Sequence, residues 1–165
     1  MRERHRYRES RCPKTPGTGG IPALPGYRQD CRVTACHACG MLGRLHHVVL
    51  DCPDPVSLAG FYSRLLGQPI TYQSDDWVVV AANDTSSGLA FQLAPDHRPP
   101  TWPDPAVPQQ FHLDVMVEDV ASAEPWVLAL GASKLDGEHV YADPAGHPFC
   151  LIPRPGWAPP IPADN

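Results

Sequence analysis

The sequence resembles itself. Aligning His47 with His112 places the run Leu45 to Asp54 (LHHVVLDCPD) beside Gln110 to Asp119 (QFHLDVMVED), so Asp54 and Asp119 stand 65 residues apart, as the two histidines do. Each run leads into an apolar-periodic stretch that ends at glycine, Gly67 in the first copy and Gly131 in the second. Such self-similarity constrains the fold more than any single motif, because one supersecondary unit must serve both copies.

The unit reads as a strand, a helix and then shorter strands, which makes the fold class α+β, a tandem β-α-β-β-β arrangement. In the first copy Leu58, Phe61, Tyr62, Leu65 and Leu66 fall at helical spacing within a helix expected over 56–66. Asp54 followed by Pro55 offers a cap and a proline at the first helical position, and Gly67 suits the left-handed residue that ends a helix. The second helix is expected over 121–130, with Trp126, Leu128 and Leu130 as its apolar stretch. Three strands should follow each helix: 70–73, 77–82 and 89–93, then 133–135, 139–142 and 149–152. Between the copies, Ala94 to Pro108 contains six prolines and can be neither a helix nor a central strand.

Of the 165 residues, the first 40 carry eight basic residues and three acids, whereas the remainder carries five and fifteen. Residues 1–40 lack a sustained period and are rich in Pro and Gly, so they read as a basic, disordered extension. Cys31, Cys36, His37 and Cys39 lack the second separated ligand pair of a structural zinc site. Met41 directly precedes the first strand-like run and reads as an alternative start to the folded part. The folded domain is expected over 41–165, as two units of about 42–94 and 109–155 joined by the proline-rich linker. Its net charge of −10 argues against nucleic acid as a partner, since phosphate binding needs a basic face. The longest apolar run, Trp77 to Ala82, is too short to span a membrane. With no apolar leader after the basic N-terminus, the reading is a cytoplasmic protein.

Side chains alternate across a strand. His46, Val48 and Leu50 share one face of the first strand, and His47, Val49 and Asp51 share the other. In the matching strand Leu113, Val115 and Val117 form the apolar face, and His112, Asp114 and Met116 the mixed one. The apolar faces should pack on the helices, with His46 among them, while His47 and His112 point away. In the closing strands Gln92 lies opposite Leu89, Phe91 and Leu93, and Cys150 lies opposite Phe149 and Leu151. His47, Gln92, His112 and Cys150 are thus expected as two repeat-related pairs facing one cavity.

The repeated unit, the His-x6-Asp spacing, the turn and strand from Asp143 to Leu151 (DPAGHPFCL) and the runs from Leu89 (LAFQLAPD) and Trp102 (WPDP) resemble the vicinal oxygen chelate superfamily, and within it the glyoxalase-like domains. The resemblance covers about residues 42–155. It implies curved mixed sheets around a cavity, a homodimer, and a divalent metal held at the places occupied here by His47, His112, Gln92 and Cys150. Metal-dependent members usually carry glutamate at one or both closing positions, so Gln92 and Cys150 depart from the pattern. Zinc is the favoured ion given a cysteine, followed by nickel, iron or manganese.

Two functions follow from the resemblance. One is a metal-dependent enzyme of lyase or isomerase type acting on a small oxygen-rich metabolite; its general base is not identified. The other is a metal-free protein that binds a drug or metabolite, similar to the bleomycin-resistance members, for which the acidic body would suit a cationic ligand. Asp114, the one acid on the His112 face, reads first as a solvated carboxylate and second as a partner or proton carrier beside His112, and His97 and His139 as surface residues. His147, in a Gly-Pro turn, has no evident orienting partner.

Overall fold

A computed structural model describes residues 44–162; the expectations for residues 1–40 lie outside them. The order is β1 (His47–Cys52), α1 (Pro55–Leu66), β2 (Ile70–Gln73), β3 (Trp77–Ala81), β4 (Gly88–Leu93), then β5 (Leu113–Val117), α2 (Val120–Ala129), β6 (Ser133–Lys134), β7 (Val140–Ala142) and β8 (Pro148–Pro153). The strands form two four-stranded sheets ordered β1-β4-β3-β2 and β5-β8-β7-β6. In each, the opening and closing strands pair in parallel and the others antiparallel, so the two sheets share one topology. The α+β class and the duplicated unit are what the strand order shows.

Both helices start as their caps require. Asp54 accepts a hydrogen bond from the Ser57 amide at 3.0 Å, with Pro55 next in line, and Asp119 accepts from the Ser122 amide at 2.8 Å. Gly67 ends α1 in the left-handed conformation (φ 61°), and its N–H donates to the Ser63 carbonyl. The second helix departs from expectation. Val120 and Val127, two turns apart, are its buried residues, while Trp126 is 75% exposed and Leu128 is also exposed. Pro125 inside α2 removes an N–H from the first turns, and the helix presents only a narrow apolar stripe.

Leu58, Ala59, Phe61 and Tyr62 of α1 are buried with Leu50, Cys52, Val78, Val80 and Phe91 of the first sheet. The same cluster continues into Val115, Tyr141, Phe149 and Leu151 of the second sheet, so one core serves both repeats. Phe61 meets Phe149 edge-on, with ring centroids 6.0 Å apart. The linker has no helix or strand but is tied down. Thr101 closes it on Val107, the Trp102 indole N–H donates to the Asp136 carbonyl at 2.6 Å, and His97 Nε2 lies 3.0 Å from the Ala145 carbonyl. Among the described residues no helix is long and apolar enough to cross a membrane.

Candidate functional site

The parallel pairing of β5 with β8 sets Asp114 opposite Cys150, which puts their side chains next to each other on the face turned away from the core. His112 lies two residues before Asp114 and joins that face, just outside the strand. Its Nε2 is 3.4 Å from Asp114 Oδ1, and the imidazole, carboxylate and thiol ligand atoms of His112, Asp114 and Cys150 all lie within 4.8 Å of one another. Burial, and then the Asp114 charge, push the half-buried Cys150 thiol up from its ordinary range. The cluster joins one nitrogen, one oxygen and one sulfur donor, a set matched to a borderline cation such as zinc. These residues fit a metal ion.

His47 and Gln92 lie elsewhere. In the parallel register of β1 and β4, His47 pairs with Gly88 and Asp51 with Gln92, so His47 and Gln92 are four residues out of step, about 13 Å along the strands. The same registers correct the expected repeat pairs. Cys150 pairs with Asp114, the repeat of Val49, whose partner is Ala90; Gln92 pairs with Asp51, the repeat of Met116, whose partner is Ile152. Cys150 is thus the counterpart of Ala90, and Gln92 of Ile152. The long connections before β4 and β8 leave this two-residue offset free, and only strand pairing resolves it.

His47 lines a cavity of about 640 Å³ on the outer face of the first sheet, together with Tyr72, Trp77 and Val79. Desolvation, and then the neighbouring His46, hold the His47 imidazole below its usual range, so its ring is neutral at pH 7. His46 does not pack on a helix as its alternation suggested. It precedes β1, is exposed, and lies against His47 with ring centroids 3.7 Å apart. His112, Asp114 and Cys150 are not among the residues that line this cavity.

A second cluster was not anticipated. Asp143 is 3% exposed and accepts from the Tyr62 hydroxyl at 3.0 Å, from the Ala145 and His147 amides, and from His147 Nδ1 at 2.9 Å. His147 Nε2 faces the Asp51 carbonyl at 3.0 Å, and its ring packs on His97. The turn therefore does orient His147, and His97 is half-buried rather than a plain surface residue. Burial and the Asp143 charge push the Tyr62 hydroxyl far above its normal range, so it acts only as a donor here. The one signal in sequence was an aspartate four residues before a histidine across a Pro-Ala-Gly turn.

The model of the glyoxalase-like domain family matches residues 47–152. Among solved structures, a glyoxalase-related enzyme from Fulvimarina pelagi is 21% identical with a TM-score of 0.50, covering 74% of this chain and 95% of that one. A possible glyoxalase from Bacillus cereus is 15% identical with a TM-score of 0.50, over 68% and 99% of the two chains. A protein from Agrobacterium tumefaciens solved by NMR is 19% identical with a TM-score of 0.51, over 70% and 100%. At these identities the likeness is one of fold. No curated protein matches the sequence. With two sheets of one topology and a family match across both repeats, the chain belongs to the glyoxalase-like domain family.

Proposed function

We propose that this domain holds a divalent metal, zinc first among the candidates, through His112, Asp114 and Cys150, and acts there on a small oxygen-rich molecule as a lyase or isomerase. The observation that carries this reading is the convergence of three different donor types on one strand pair. A metal bound there would polarise the oxygens of a chelating ligand. Asp114 would balance the charge of the ion, and Cys150 would give up its proton to bind it. His47 and Gln92, on the outer face of the first sheet, would contact ligand rather than metal within the same chain. His112 and Asp114 are largely exposed, and a homodimer that covers this face completes the reading.

Tag-free protein, stripped with chelator and then titrated with zinc, tests it. The expected result is about one zinc per chain, with a rise in melting temperature of several degrees at saturation, since free ligand at a hundred times Kd stabilises by about 2.7 kcal/mol. His112→Ala with Cys150→Ser should abolish both effects. Substoichiometric metal in the wild type, or full binding by the double variant, would overturn the assignment.

A further inference from the structure

A second cavity, of about 370 Å³, lies between the linker and both repeats, and it shares no lining residue with the cavity beside His47 or with the metal cluster. Val49 and Asp51 come from β1, Phe111 and Pro148 from the second repeat, and Arg98 and Val107 from the linker. The six prolines keep the linker from adding to the free edge of β1, so it bounds a space there instead. Its anchors hold that space open: His97 Nε2 lies 3.0 Å from the Ala145 carbonyl, and the Thr101 amide donates to the Val107 carbonyl at 2.9 Å.

The lining has an apolar part and a charged part. Val49 is 39% exposed and Phe111 41% exposed, so both present apolar surface that a ligand could cover. The charged groups are one of each sign, Arg98 and Asp51, both exposed. Among the described residues neither takes part in an ion pair, with the other or with a third group. Their spacing is set by the fold. Arg98 follows His97, whose ring packs on His147 at 4.8 Å between centroids, and His147 Nε2 lies 3.0 Å from the Asp51 carbonyl.

An anion on Arg98 alone would face the Asp51 carboxylate, and a cation on Asp51 alone would face the Arg98 guanidinium; a ligand carrying both charges satisfies both groups. The volume lies at the small end of the roughly 300–1,000 Å³ of small-molecule sites, which restricts that ligand to a compact one. We infer that this cavity binds an apolar α-amino acid as its zwitterion, with the carboxylate on Arg98, the ammonium on Asp51 and the side chain against Phe111 and Val49. The inference goes beyond the metal reading and does not depend on it.

Calorimetric titration of the full chain, in chelator, tests it with three probes of nearly equal size: L-phenylalanine, 3-phenylpropanoate, which lacks the ammonium, and phenethylamine, which lacks the carboxylate. Phenylalanine should bind one to one and more tightly than either analogue. Arg98→Gln should weaken phenylalanine and phenylpropanoate roughly tenfold or more, the cost of one charge-assisted contact, and leave phenethylamine no weaker. Asp51→Asn, which keeps the carbonyl that His147 meets, should do the converse. Phe111→Ala, at an exposed position, should weaken all three probes. Arg64→Gln with Asp75→Asn removes one charge of each sign outside the cavity and should change nothing. Absence of binding at millimolar phenylalanine, equal binding of the three probes, or losses from Arg98→Gln and Asp51→Asn that do not separate the two analogues would overturn the inference. His112→Ala with Cys150→Ser should bind phenylalanine as the wild type does, so a failed metal assignment and a failed zwitterion site are told apart.

Discussion

The hydroxyl of Tyr62, on the helix of the first repeat, donates to Asp143 Oδ2 in the second repeat at 3.0 Å, with both residues buried. Asp143 in turn receives His147 Nδ1, and His147 Nε2 reaches the Asp51 carbonyl back in the first repeat. The polar chain thus crosses between the repeats twice, within a core that is otherwise apolar. Both ring nitrogens of His147 are thus engaged, one on each repeat.

Removing parts of this chain should be costly in an ordered way. Tyr62→Phe deletes one donor to a buried carboxylate and should cost about 1.5–3 kcal/mol. His147→Leu leaves Asp143 with less compensation and should cost about 3–5 kcal/mol, as expected when a buried charge loses its partner. Urea unfolding should show lower midpoints at unchanged slope. In a double-mutant cycle the two losses should not add, because both partners serve the same carboxylate.

Gly88 pairs with His47 on one side and Ala81 on the other. A Cβ there would fall 2.2 Å from the Val80 carbonyl oxygen and 2.6 Å from Ala81 Cβ. Gly88→Ala should therefore force β3 and β4 apart and cost about 1–3 kcal/mol, the usual range for overpacking. The same variant should disturb the cavity beside His47, seen as altered chemical shifts of the Trp77 indole.

The helix caps offer a matched pair of tests, one in each repeat. Asp54→Ala should cost about 1 kcal/mol, and Asp54→Asn much less, because the amide oxygen still caps. Asp119→Ala should also lower the melting temperature. Hydrogen bonds from the Ser122 hydroxyl and then its amide hold the Asp119 carboxyl below its usual range. Its share of stability is therefore present at neutral pH and lost as pH falls through the lowered value. Melting curves between pH 7 and 3 should be less acid-sensitive in Asp119→Ala than in the wild type.

At the alkaline end the buried Cys52 decides. Burial is the main cause that pushes its thiol from the ordinary 9.0 to about 11. The unfolded chain loses that proton first, so the contribution of Cys52 is complete below pH 9 and declines as pH rises toward 11. Cys52→Ala should be less stable at pH 7 because it opens a small cavity. Its melting temperature should also fall less steeply between pH 8.5 and 10.5 than that of the wild type. Equal slopes would remove Cys52 from the alkaline transition.

Local patterns carried the architecture. The 65-residue offset, the Asp54 and Asp119 caps, Gly67 and the alternation in β1, β4, β5 and β8 are short-range signals, each set by backbone geometry and side-chain period, and together they define two copies of one α+β unit. The second helix was less legible, because Pro125 and a two-residue buried stripe left Trp126 outside.

The site was decided by contacts between distant segments. Periodicity says which face Cys150 and Gln92 occupy, but not how far each strand slides along its neighbour. The pairing of β5 with β8 brings Cys150 to Asp114 and His112, while the pairing of β1 with β4 leaves Gln92 beside Asp51 and away from His47. Asp143 appears in sequence as an ordinary turn aspartate. It becomes a buried junction because α1 of the other repeat places Tyr62 on it, a contact spanning 81 residues that no local pattern encodes.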